Sequence, residues 1–257
     1  MMALVTSAAA ACEEADSRSQ IDIYPSAYEL PSNLLRIYLY FPDPVRVSDI
    51  LEYITLKDSE GRTLDRVFLS NRYDLWSPDR RRLTLLLDPG RVKTGLRAHE
   101  TLGRALVPGA KYSLVVDKTW TRVADCEQAS DTVFEFLAIV PDYNPPEPNE
   151  WTITAPKAGT LDPLTIDLGS PHDHVSLAYR LRIRDAEGSV VSGSITLGPD
   201  ERVWHFTPTK PWPNSVHHVV IDKRFEDLAG NRPDGLFDKP SEDAPFTWTK
   251  ELFWHPG

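Results

Sequence analysis

Short runs in which apolar and polar residues alternate recur along this chain, separated by proline, glycine or acidic turns. Leu35-Arg36-Ile37-Tyr38-Leu39 sets Leu35, Ile37 and Leu39 on one side and Arg36 and Tyr38 on the other. Leu164-Thr165-Ile166-Asp167-Leu168 repeats the arrangement. A period of two marks a strand with one buried face and one wetter face. Each run soon reaches a proline, Pro42 or Pro171. The chain holds 22 prolines against 13 glycines, which favours many short elements with stiff connections over long helices. The pattern predicts an all-β protein.

The landmarks come twice, in the same order. Leu56-Lys57-Asp58-Ser59-Glu60-Gly61-Arg62 is echoed by Ile183-Arg184-Asp185-Ala186-Glu187-Gly188-Ser189, each a strand ending in a tight turn that needs glycine. Further on, Trp76-Ser77-Pro78 corresponds to Trp204-His205-Phe206-Thr207-Pro208. The run from Pro108 to Lys118 then matches the run from Pro213 to Lys223. Trp120 and Asp125 follow the first of these runs, and Phe225 and Asp227 follow the second. Composition bias would repeat residue types but not an ordered series, so the halves read as two copies of one unit.

A single sheet cannot bury its apolar face, so each copy needs two facing sheets, with Trp76 and Trp204 expected at the two centres. The first sandwich is placed at 22–142, with an irregular insertion near 89–106 where Gly90, Gly95 and Gly103 argue against a long helix. A proline-rich spacer covers 143–149, the second sandwich 150–250, and a tail 251–257. Phe253 and Trp254 are placed to cover an open sheet edge.

Asp227-Leu228-Ala229-Gly230-Asn231 resembles the Asp-x-Ala-Gly-Asn segment near the end of bacterial Ig-like domains of the S-layer and adhesin type. There it follows a short apolar strand, here His218-Val219-Val220-Ile221-Asp222. The first half departs from the pattern: Asp125-Cys126-Glu127-Gln128 keeps the aspartate and loses the glycine and asparagine. The resemblance implies two tandem Ig-like or fibronectin-like antiparallel β-sandwiches. It also implies a role as spacer, adhesion module or accessory piece of an exported, carbohydrate-active enzyme system.

Residues 1–21 read as a signal-like or disordered segment. The small-residue run from Ala8 to Ala11 precedes Cys12, similar to the cleavage region of a lipoprotein signal, though without a basic head. Cys12 is then the lipidation candidate, and the chain is expected in the periplasm or outer membrane, with a cytoplasmic protein carrying a disordered tail as the alternative. Membrane attachment is expected only through that N-terminal lipid, since no later stretch has the length and apolarity of a spanning helix. Cys126 is the second cysteine, and the two do not make a disulfide framework.

The formal net charge of −10 repels a phosphate backbone, so nucleic acid is not an expected partner. An envelope protein or a glycan is. No nucleophile elbow, phosphate loop, zinc-protease helix or dinucleotide fingerprint occurs, and the chain reads as a non-enzyme. No cofactor is required by the pattern; if a cation binds, calcium suits Asp222, Asp227 and Asn231, hard oxygens within one stretch. His172 and His174 read as exposed loop histidines rather than ligands. His217 and His218 are adjacent on a strand and must point to opposite faces. Trp120 and Trp212 are the candidate ligand-binding rings, suited to stacking on sugars if exposed. Trp151 and Trp212 could instead pack the two copies together.

Overall fold

The computed structural model describes residues 21–45, 50–69, 75–93, 96–120, 130–238, 250–254 and 256. The first half contains β1 (Asp22–Tyr24), β2 (Glu29–Pro31), β3 (Arg36–Tyr40), β4 (Ile54–Asp58) and β5 (Arg82–Leu86). Two short helices follow, α1 (Pro89–Val92) and α2 (Arg97–Leu102), and then β6 (Lys111–Val116) and β7 (Thr132–Ile139). The second half contains β8 (Thr152–Thr154), β9 (Leu164–Asp167), α3 (His174–Tyr179), β10 (Leu181–Arg184) and β11 (Gly193–Leu197). It ends with β12 (Val203–Pro208), β13 (His217–Ile221) and β14 (Lys250–Trp254). The last strand runs into the residues expected as a tail. Its pairing with β13 explains the reach, because backbone groups left open on β13 recruit whatever chain follows.

Each half folds as two facing sheets. In the second half the sheet orders are β11-β12-β9-β8 and β10-β13-β14. Lettered A to G in sequence, these are the A-B-E-D and C-F-G sheets of a seven-stranded immunoglobulin sandwich. In the first half the orders are β1-β3-β5 and β2-β7-β6-β4. Here the first strand divides between the sheets, and β2 pairs in parallel with β7, a departure from the all-antiparallel expectation. The pairing follows from the division: the chain crosses from β1 to the opposite sheet in the same direction and meets its last strand running alongside.

Alternation places the cores. Ile37 and Leu39 of β3 face Leu83 and Leu85 of β5 and Leu114, Val116 and Phe136 of the other sheet. Leu164, Ile166, Leu181, Ile183, Trp204, Phe206, Val219 and Ile221 close a second, separate cluster. The indole of Trp204 is 0 % exposed and donates to the Leu177 carbonyl at 3.0 Å, which satisfies its one polar atom. Trp76 is not its counterpart. It is only partly buried, bridges Leu83 from outside β5, and lies against Phe41 at the margin of the first core. Strand order matches β12 to β5, so leucines fill in the first copy the layer that the tryptophan fills in the second.

The repeat is visible atom by atom in the turns. Asp58 Oδ1 accepts from the backbone N–H of Glu60 and Arg62, and the Gly61 N–H donates to the Asp58 carbonyl. Asp185 does the same with Glu187, Ser189 and Gly188. Tyr112 near the start of β6 accepts from the Val107 N–H at 2.9 Å, the corner contact of immunoglobulin folds. His217 takes that position in β13, edge-on to Trp212. The insertion is tied down by Arg91. Its buried guanidinium donates to the carbonyls of Asp65, Arg66, Gly103 and Arg104 at 2.9–3.1 Å.

Candidate functional site

The outward side chains of β3 were expected to be wet, and the fold buries Tyr38 and half-buries Arg36 and Tyr40. Tyr38 is 4 % exposed because the second sandwich lies over this face of the β1-β3-β5 sheet. What forms there is a polar seam between the two copies, built mainly by β3 on one side and by α3 and the loop after β13 on the other.

Three clusters make up the seam. In the first, the Tyr38 hydroxyl donates to Asp173 Oδ2 at 2.7 Å, while Asp173 Oδ1 caps α3 by accepting from the Ser176 N–H at 2.7 Å. The Ser176 hydroxyl accepts from the Glu226 N–H, and Glu226 pairs with Arg36 of β3 and with Arg232. In the second, Glu201 accepts from the N–H and the hydroxyl of Ser26 at 2.8 and 3.0 Å. His174 lies 3.7 Å from Glu201, its ring stacked on Tyr24 and edge-on to Tyr40. The third cluster fixes the connection between the copies. Asn33 exchanges two hydrogen bonds with the backbone of Asp142, and Asn231 donates to the same Asp142 carbonyl.

The segment Asp227-Leu228-Ala229-Gly230-Asn231 enters this seam as a plug. Its hydrogen bonds repeat the Asp58 and Asp185 turns: Asp227 Oδ1 accepts from the N–H of Ala229 and Asn231, and Gly230 N–H donates to the Asp227 carbonyl. The difference lies in the two intervening residues, Leu228 and Ala229 in place of Ser59-Glu60 and Ala186-Glu187. Leu228 packs into the core of the first sandwich, and its carbonyl accepts from the Leu35 N–H at 3.0 Å. Phe237, held by the Asn231 amide oxygen, packs on the same core under the ammonium of Lys93.

Burial sets the electrostatics. It raises the Asp173 carboxyl against the opposing pull of Arg36 and Tyr38, and raises the Tyr38 hydroxyl well above its ordinary range. Burial also raises Asp227 to about 7 and lowers His172 to about 4. Asp222, on the surface, goes the other way: hydrogen bonds from Arg224 hold it at about 2.

The residues singled out from sequence are distributed differently from expectation. Trp212 is 1 % exposed and donates to the Asp162 carbonyl inside the second core, so it offers no ring to a sugar. Trp151 packs in that same core and not between the copies. An indole that close to a sheet end removes more apolar surface from water by folding inward than by standing out. The Trp120, Phe253 and Trp254 side chains, and all of Trp248, Cys12, Asp125 and Cys126, lie outside the described residues. Asp222 does not join Asp227 and Asn231: it is spent on Arg224 and Arg180, while they bond each other in the plug. Among the described residues no group of three or more His, Cys, Asp or Glu side chains is placed to hold a metal ion.

His172 and His174 are not exposed loop residues. His172 is buried against Trp151 and Phe225, and α3 begins at His174, because the Asp173 cap turns this loop into the seam. His217 is buried and His218 half-buried, on opposite faces as the strand demands. The seam residues Ser26, Asn33, Arg36, Tyr38, Asp173 and Glu201 carried no sequence motif. The one available signal was Tyr38 and Tyr40, two aromatics on the supposedly wet side of β3.

Fold and seam together define a two-sandwich immunoglobulin-like protein with docked modules. No protein-family model and no curated protein matches the chain. Among solved structures it is similar to native alpha-2-macroglobulin from Escherichia coli spanning domains MG0-NIE-MG1, at 9% identity and a TM-score of 0.28, covering 82% of this chain and 68% of that one. It is also similar to the chicken CNTN1 FN1-FN3 domains, at 10% identity and a TM-score of 0.24, covering 93% and 67%. A third is the N-terminal four Ig domains of Dscam1 isoform 6.44, at 11% identity and a TM-score of 0.22, covering 79% of this chain and 45% of that one. Scores this low carry no weight of their own, and the fold rests on the strand orders above.

Proposed function

We propose that this chain is a non-enzymatic structural or adhesion module of the bacterial cell envelope, whose two sandwiches dock into one unit. The observation that carries the reading is the seam: side chains from both copies are buried against each other and hydrogen-bonded, and the connecting segment is clamped at Asp142 from both sides. Freely jointed domains would keep those groups in water. A docked joint suits a part that holds other parts apart or presents a surface at a set distance.

Placement in the envelope rests on the run before Cys12 and on the resemblance carried by the plug sequence. A lipid on Cys12 would anchor the unit by its N-terminal end, with an envelope protein or a glycan as its partner. The test is fractionation of cells making the full-length chain, with intact-mass analysis. A membrane-associated form with diacylglycerol on Cys12 is expected; a soluble cytoplasmic form beginning at Met1 contradicts the reading. Glycan binding by the paired rings loses support with Trp212 buried in the core.

A further inference from the structure

Glu226 has two arginine partners and Glu201 has the two donors of Ser26 with His174 beside it, but Asp173 has no cation in hydrogen-bonding reach among the described residues. It is 4 % exposed, in the middle of the interface. The groups that face it are Tyr38 and, farther off, Arg36 and Tyr40 of β3, with Arg82 of β5 over the Tyr38 ring. From the second sandwich come Ser176 and His174 of its own helix, Tyr179 on the other side of Arg82, Glu201, Glu226 and the buried His172. Glu226 already takes up the charge of Arg36, and Glu201 takes its donors from Ser26.

We propose that the joint between the two sandwiches is governed by pH through Asp173: docked while that carboxyl holds its proton, loosening as the proton leaves. A carboxylate moved out of water without a paired cation is costly, and three neutral donors, the Tyr38 phenol and the Ser176 N–H and hydroxyl, do not repay the loss. Once the sandwiches part, Asp173 becomes a solvated helix cap, where its charged form is favourable. Docking therefore takes up a proton. The sign follows from linkage: a carboxyl raised in the docked state makes docking strongest at acid pH, and weakens it as pH climbs from the ordinary carboxylate range through the raised value. Within that window each pH unit changes the docking constant by up to about tenfold.

The test is hydrogen exchange of the backbone amides of 174–180 in the full chain between about pH 4.5 and about pH 8, corrected for intrinsic rates, with scattering curves at both ends. In the wild type, protection of this segment is expected to fall on the order of tenfold or more across the range, with an increase in radius of gyration. Asp173→Asn keeps the capping oxygen and turns an amide N–H toward the Tyr38 hydroxyl without a titrating proton, so its protection should vary with pH clearly less than that of the wild type, keeping only the part that Asp227 contributes. Asp173→Ser, a second capping residue that does not titrate, serves if the amide is not tolerated. Wild-type protection that is flat with pH overturns the proposal, and so does a capped variant that keeps the full dependence. These readouts do not depend on where in the cell the protein resides.

Discussion

Gly230 stands so close to Leu35 that a Cβ on it would lie 2.5 Å from the Leu35 Cδ2. Its φ of +79° independently disfavours any side chain. Gly61 has almost the same φ of +78° in the same kind of turn, but its Cβ would meet nothing within 4 Å. The pair separates conformational cost from close packing across the seam.

Gly61→Ala should cost about 1–2 kcal/mol, the strain of the left-handed region alone. Gly230→Ala adds overpacking against the first core and should cost about 2–5 kcal/mol in total. Urea unfolding followed by tryptophan fluorescence checks both. Equal costs would mean that the plug does not press on Leu35.

Trp204→Ala should destabilise the second sandwich by about 3–5 kcal/mol, because the ring fills its centre and the Leu177 carbonyl loses its donor. Trp76→Ala should cost clearly less, since that ring sits at the margin of the first core. Denaturation midpoints of the two variants decide between this assignment and an equivalence of the two tryptophans.

Asp227 holds its proton up to about 7 in the fold, against about 4 when unfolded. The folded state therefore binds the extra proton between those values, and stability falls with rising pH by up to about 1.4 kcal/mol per unit. Asp227→Asn removes that slope. Whatever fixed penalty the amide carries toward Asn231, its stability relative to wild type should improve steadily from about pH 4 to about pH 7. A difference that does not change with pH would show the carboxyl ionised throughout.

Calcium should not raise the melting temperature, and chelator should not lower it, because Asp222 is committed to Arg224 and Asp227 to the plug turn. A calcium-dependent shift in scanning calorimetry would require those bonds to be given up.

The sandwich fold was legible because it rests on local rules. Alternation around Ile37, Leu39, Leu164 and Ile166 fixes the inward faces, and the Asp58 and Asp185 turns announce themselves by aspartate and glycine spacing. The seam was not legible, for the same reason. Arg36 and Tyr38 look like solvent-facing strand residues until another domain covers them, and Asp173 and Glu201 look like loop acids. Trp212 shows the converse: flanked by prolines it reads as a loop ring, and the end of the second core claims it. The plug was seen as a motif, but nothing local says that its Leu228 leaves its own sandwich to enter the other.

The most direct measurement of docking is exchange at one amide. The Leu35 N–H donates to the Leu228 carbonyl across the seam. Docked modules predict that this amide, at a pH where the seam is closed, is protected to the same order as the buried amides of β3. Exchange at the rate of an open loop while β3 itself stays protected would contradict it, and the two sandwiches would then be independent beads on a string.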